Sequence, residues 1–370
     1  MKILLVCTKS SVLVNFRKKL IEKLQAEGHE VCGLAFDNDN EELLKERGVK
    51  LYHFKDANRS LNPFKVLSLK NRYAKAIKEI NPDLVFTFML KPNIYGVQGA
   101  KKAGFTNIYS MVEGAGKVFI YNSLKWKLIR KLVCHGYKKA FKHSKKVFFL
   151  NSDDKKDFVK RGLVKDEQCE LIHGIGVDLE YFQQKPIKNH NTFLMIARLI
   201  RAKGVFEYCE AAKIVKEKYP NATFNLVGPE GTIKAEDIKE YTEKGTVNYL
   251  GKTSDVRPYL EETSVHVLPT YYREGMVMVN MEASASGRAV ISCDNTGTRE
   301  TVKDGYSGFL VPIKNAQAIA EKMIYFLENP EQIEVMGKNA RKYAEDMFDH
   351  RVINEKICEV IGAKQEEALV

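Results

Sequence analysis

Thirteen short apolar runs recur along this chain, separated by longer stretches with apolar residues three and four apart. In the first half the runs cover residues 3–7, 31–36, 49–54, 83–89, 107–112, 146–150 and 170–173. After residue 190 the pattern restarts at 192–199, 222–228, 247–251, 265–269, 289–293 and 308–311. In the first half, the intervening segments 14–27, 63–80, 92–103 and 124–143 have helical periodicity. Strand–helix alternation predicts right-handed βαβ units and a parallel, doubly wound sheet in each half. At 370 residues the chain exceeds what one core holds, so two domains are expected. The polar stretch 183–191 reads as the linker between 1–182 and 183–345. Such domains place a ligand in a cleft facing the carboxyl ends of their strands.

Charge separates the halves. Residues 1–180 carry 34 Lys/Arg against 20 Asp/Glu, and residues 181–370 carry 25 against 27. A net +14 beside a net −2 predicts different partners for the two halves. No apolar run reaches the roughly 18 residues of a membrane span. The seven cysteines show no metal-ligand or disulfide spacing, so no metal is expected and a reducing cytoplasm fits.

The most informative stretch runs from Arg273 to Gly287. It follows the 265–269 run, so Glu274 falls in a strand-to-helix loop. Residues 277–286 read as a helix stopped by Gly287, with Glu282 about one and a half turns in. Two carboxylates at a strand end suit a ligand bearing paired hydroxyls, such as a sugar or a ribose. A loop acid plus a helix acid in an ion pair is the competing reading. Arg198 and Lys203 follow the first strand of the second half, before a helix opening at Gly204. Two cations there can grip a diphosphate beside the helix N-terminus, or form a solvated basic loop.

Taken in order, Ala-Arg198-Leu-x-x-x-Lys203-Gly-Val, Leu226-Val227-Gly228, Tyr249-Leu250-Gly251, Glu274-Gly-x6-Glu282-Ala, Thr298-Arg299-Glu300 and Asp304-Gly305-x2-Gly308-Phe309 form a set. The set resembles the carboxyl-terminal half of a retaining family-4 glycosyltransferase of the GT-B fold. Gly176-Val177-Asp178 resembles the approach to that family's linker. Residues 59–63 and Val112-Glu113-Gly114 resemble bacterial enzymes, N-acetylgalactosaminyltransferases among them, that extend polyprenyl-diphosphate-linked sugars. The resemblance implies two Rossmann-like domains facing across a cleft, with residues 346–370 crossing back to the first. It implies that Arg198 and Lys203 bind the donor diphosphate, that Glu282 takes the ribose diol and that Glu274 contacts sugar hydroxyls. The N–H groups of Gly275, Met276, Val277 and Met278 would lie nearby. Gly228, Tyr249, Lys252 and Thr253 would line the donor side. The implied donor is a UDP-sugar, with no cofactor. One departure stands out: Val277 occupies a position where the family usually has Pro, which leaves an extra N–H at the helix start.

In the first half, Glu113 ends a strand before Gly114-Ala115-Gly116 and could position or deprotonate an acceptor hydroxyl, or serve in a structural ion pair. Lys91 and Asn93, at another strand end, could meet acceptor phosphate. From Gly114 to Ser152 there is no acidic residue and there are ten Lys/Arg, among them Lys117, Lys125, Lys127, Arg130 and Lys131. With Trp126 near its entry, this basic amphipathic helix reads as a surface for anionic lipid; a core-packed helix with a solvated face is the plainer reading. Gly114-Ala115-Gly116-Lys117-Val118 lacks both the leading Gly and the Ser/Thr of a phosphate loop.

The resulting expectation is an enzyme moving a sugar, an N-acetylhexosamine, from a UDP donor to a polyprenyl-diphosphate-linked saccharide at the inner membrane face. A nucleotide-sugar epimerase of the same fold is the first alternative, and a non-catalytic polyanion-binding protein the second. Nucleic acid is not expected as a partner, because it would leave the ordered donor motifs unexplained.

Overall fold

The computed structural model describes residues 1–54, 63–120 and 123–364. The motif at 59–62 therefore lies outside the described residues, as does the side chain of Lys117. The chain forms two compact units, Met1–Ile175 with the segment from Arg351 onward, and Gly176–His350.

In the first unit, seven strands form one parallel sheet: β1 (Lys2–Val6), β2 (Glu30–Ala35), β3 (Lys50–His53), β4 (Leu84–Phe88), β5 (Ile108–Val112), β6 (Lys146–Phe149) and β7 (Cys169–Leu171). Their order is β3-β2-β1-β4-β5-β6-β7. Ile3 pairs with Val31 on one side and Leu84 on the other, so β1 is central. Every residue of β4 and β5 is buried. That explains their near-continuous apolar runs, since helices cover both faces of a parallel sheet.

The second unit repeats the plan with β8 (Thr192–Ile196), β9 (Thr223–Val227), β10 (Asn248–Tyr249), β11 (Val265–Leu268), β12 (Ala289–Cys293) and β13 (Gly308–Val311). The order is β10-β9-β8-β11-β12-β13, again parallel throughout. In both units the chain winds outward from the central strand, returns, and winds the other way. That leaves a switch point between β1 and β4, and another between β8 and β11. At a switch point the loops diverge and open a crevice beyond the carboxyl ends of the strands.

Two helices differ from expectation. The segment expected as one helix over 14–27 is two, Ser10–Phe16 and Lys18–Ala26. The break is at Arg17, whose side chain is only 1% exposed. Its guanidinium lies against Glu113 and Phe88 at the ends of β5 and β4. The 92–103 segment opens with a π-helical turn, Pro92–Gly96, before the α-helix Val97–Lys102.

The helix His350–Ile361 packs with the first unit from Arg351 on. Lys23 Nζ reaches Glu355 at 2.7 Å, and His29 Nε2 lies 2.8 Å from the Ala363 carbonyl.

Candidate functional site

At the switch point of the second unit, the loops after β8 and β11 are fastened together. The Ala202 carbonyl accepts from the backbone N–H groups of Tyr271 (2.9 Å) and Tyr272 (3.0 Å), and from the Thr270 hydroxyl (3.1 Å). Gly204 is left-handed, at φ 81°, and a Cβ there would collide with the Pro269 carbonyl. Only glycine permits both the turn and this approach.

The fastening sets Lys203 opposite Glu274. Their Nζ and Oε1 atoms are 2.5 Å apart, each side chain about 20% exposed. Glu274 therefore sits in an ion pair, with a candidate cation rather than with a distant structural residue. Arg198 is exposed, and its guanidinium has no hydrogen-bond or ion-pair partner among the described residues, although its carbonyl accepts from the Ile200 N–H at 2.8 Å.

The helix after Glu274 runs Met278–Ala285, so Val277 is its cap and not its first turn. The Val277 N–H donates to the Gly297 carbonyl at 3.0 Å. Of the four N–H groups expected to face a ligand, Val277's is therefore committed within the fold. Gly297 (φ 78°) makes this possible, because a Cβ would collide with the Glu274 carbonyl. The residue that departs from the family pattern thus uses the very N–H that proline would lack.

Glu282 is partly buried, with no cation beside it among the described residues; burial pushes its carboxyl up to about 7. A carboxyl half-ionised near neutrality is ready to accept hydroxyl hydrogen bonds that would stabilise its charged form. Beneath it, Asn280 Nδ2 donates to Ser292 Oγ (3.1 Å) and Thr301 Oγ1 (2.8 Å). Thr301 Oγ1 donates to the Thr298 carbonyl at 2.6 Å. This buried polar chain pins the Glu282 helix to β12 and to the turn Arg299–Thr301. His266 in β11 is fully buried, and burial holds its ring down to about 4, so it is neutral.

At the outer edge, Tyr249 donates its hydroxyl to the Gly228 carbonyl at 2.9 Å, and Gly228 N–H donates to Gly251 at 2.8 Å. Thr253 is turned onto its own loop, with Oγ1 donating to the Asp255 carbonyl (2.7 Å) and accepting from Asp255 N–H (3.1 Å). Lys252 is exposed.

At the switch point of the first unit, Glu113 is ion-paired with buried Arg17. Arg17 also donates to the Phe16 carbonyl at 2.8 Å and stacks over Phe88, 4.5 Å from the ring centre. The guanidinium thus links the ends of β4 and β5. Lys91 is partly buried, and burial lowers its ammonium pKa. The expectation for Asn93 needs correction. It is fully buried, its Oδ1 accepts from Thr87 Oγ1 at 2.7 Å, and its Nδ2 donates to the Met111 carbonyl at 2.8 Å. Both ends of the amide serve the fold, so no phosphate reaches it. On the basic helix Leu124–Phe141, Lys125, Lys127 and Lys131 are exposed and Trp126 is half-buried. Arg130 Nε donates to the Val118 carbonyl at 2.8 Å, tying down the segment before the helix.

Sequence reasoning missed Arg17, Asn280 and His266. A histidine inside an apolar strand and an Asn two residues before Glu282 were visible signals. Arg17 left none, because its partner is 96 residues away.

Residues 177–343 match the family described as glycosyl transferases group 1, and residues 2–151 match the glycosyl transferase 4-like family. Over 358 residues the chain is 30% identical to a Campylobacter jejuni protein, covering 93% of this chain and 94% of that one. That relative is an N,N'-diacetylbacillosaminyl-diphospho-undecaprenol alpha-1,3-N-acetylgalactosaminyltransferase. The chain is a glycosyltransferase of group 1. This glycosyltransferase is also 30% identical to the capsular polysaccharide biosynthesis protein CapM of Staphylococcus aureus, over 57% of its own length and 60% of CapM's. In fold it is similar to Anabaena HepE, solved with UDP and glucose, at a TM-score of 0.78 and 19% identity, with 98% of this chain and 100% of that one covered. The architecture is GT-B.

Proposed function

We propose that this glycosyltransferase moves an N-acetylhexosamine from a UDP-sugar to a polyprenyl-diphosphate-linked saccharide, with retention at the anomeric carbon. The observation that carries the reading is the grouping of Arg198, the Lys203–Glu274 pair and Glu282 around one switch point. The Campylobacter relative supports the acceptor class, and the UDP of the HepE complex supports the nucleotide.

In this reading, the bond between the sugar's anomeric carbon and the diphosphate oxygen breaks, and an acceptor hydroxyl oxygen takes the carbon. The hydroxyl proton passes to the leaving diphosphate. Leaving-group charge rises as the bond lengthens, and Arg198 and Lys203 are assigned to it. No metal is called on for that role. Arrival of the diphosphate would draw Lys203 off Glu274 and free the carboxylate for sugar hydroxyls. Glu282 takes the ribose diol. On the first unit, Glu113, oriented by Arg17, is assigned to the acceptor hydroxyl.

The test is nucleotide release from a panel of UDP-, GDP- and dTDP-sugars, with and without a short polyprenyl-diphosphate N-acetylsugar. Acceptor-dependent UDP release, lost in Glu274→Ala, is the expected result. Donor turnover without acceptor would replace the reading with an epimerase. Failure of every nucleotide to bind would end it.

A further inference from the structure

The helix Leu124–Phe141 carries an apolar stripe on the wrong side for a core. Leu124, Leu128 and Leu132 are 84%, 62% and 67% exposed. Spaced by four, they advance about 40° per step at 3.6 residues per turn, and so form one ridge. The opposite side of the helix makes the core contacts: Tyr137, Ala140 and Phe141 are buried, and the Tyr137 and Phe158 rings lie 5.2 Å apart. The leucines are therefore surplus to the helix's own packing. Scattered exposed leucines need no explanation, but three in register on one helix face do.

Their surroundings indicate the occupant. Lys125, Lys127, Lys131, Lys138 and Lys139 are all exposed beside the ridge. The positive field continues past the helix end: Lys142, just after it, and Lys70 and Lys101 on other helices act on His143 together with Lys139. No acidic residue interrupts residues 114–152.

We propose that this face docks on an anionic phospholipid bilayer, with the leucines entering the acyl boundary and the lysines resting on phosphate headgroups. An amphipathic helix lying in the interface requires both parts. A second copy of the chain would bring like charge against like charge. A nucleic acid would leave the leucines in water. Trp126, half-buried, is not part of the ridge, so the aliphatic residues carry the insertion. The inference stands on this helix alone and goes beyond the proposed reaction.

The experiment is flotation of the full chain with vesicles of phosphatidylcholine alone and of phosphatidylcholine with phosphatidylglycerol in equal parts. Wild type should float with the anionic vesicles only, and less so as salt rises. Leu128→Gln and Leu132→Gln should each weaken binding roughly ten-fold. Both variants should keep far-UV circular dichroism and nucleotide release with a water-soluble acceptor, since neither residue touches the core or the donor site. Binding unchanged by the leucine substitutions would overturn the proposal. So would binding that ignores lipid charge, a wild-type dimer that these substitutions dissociate, or capture of polyphosphate without vesicles. Vesicle binding is read without turnover, so its failure is distinguishable from failure of the proposed reaction.

Discussion

Replacing Glu282 by glutamine should strengthen the fold and weaken donor binding at once. Burial moves this carboxyl from 4.5 to about 7. A shift of that size is worth about 3 kcal/mol, at 1.36 kcal/mol per unit. The sign follows from proton counting. Between pH 4.5 and 7 the folded state holds more protons than the unfolded one, so stability falls as pH rises through that window. The full penalty is present above pH 7. Glutamine carries no charge to desolvate. Glu282→Gln should therefore match wild type near pH 4.5 and exceed it by up to about 3 kcal/mol at pH 8. On the proposed role of Glu282, donor binding should move the other way, because a carboxylate would accept from both ribose hydroxyls where an amide would accept through one oxygen. Titration calorimetry with UDP at pH 8 should show affinity falling by roughly ten-fold or more, the worth of one charge-assisted hydrogen bond. Wild-type affinity should itself rise with pH through 7, while the variant's stays flat. Urea unfolding at the two pH values reads the stability. A variant less stable than wild type at pH 8 would refute the desolvation argument. Unchanged UDP affinity would remove Glu282 from the donor site.

Other outcomes follow from the same structure. His266, held down to about 4 by burial, should cost the wild type about 3 kcal/mol as pH falls from 6.5 to 4. Its trend opposes that of Glu282, so it is best read by urea unfolding in the Glu282→Gln background, where His266→Leu should abolish it. Val277→Pro would restore the usual family residue but remove the hydrogen bond to Gly297, and thermal unfolding should show a loss of about 1–3 kcal/mol. Arg17→Met should destabilise by roughly 3 kcal/mol by leaving Glu113 without its cation, and Glu113→Gln in the same chain should recover part of that in a double-mutant cycle.

Each of the thirteen strands coincides with an apolar run read from the sequence, with β1, β2 and β7 starting one residue earlier than their runs. Parallel strands buried on both faces leave uninterrupted runs, and the helices between them announce the crossovers. Where expectation and structure part, the reason is contact over distance. Val277 looked like a loosened helix start, yet its N–H has a carbonyl partner twenty residues on. Asn93 looked ready for phosphate because a strand end usually faces the crevice. Its side chain instead turns into the sheet to satisfy Thr87 and Met111. Neither could be read locally, since periodicity reports which face is apolar and not where one polar atom is spent.

The alternation of runs alone determined two doubly wound sheets, and the order of motifs placed the candidate donor residues on the second. Charge counting marked the basic helix. Tertiary structure decided the rest. It paired Lys203 with Glu274 across two loops, buried Arg17 against Glu113, left the Arg198 guanidinium exposed and turned three leucines to solvent. A sequence carries spacing, and spacing sets the secondary structure and the switch points. Ionisation and pairing depend on which distant groups arrive within a few ångströms, and only the folded chain brings them there.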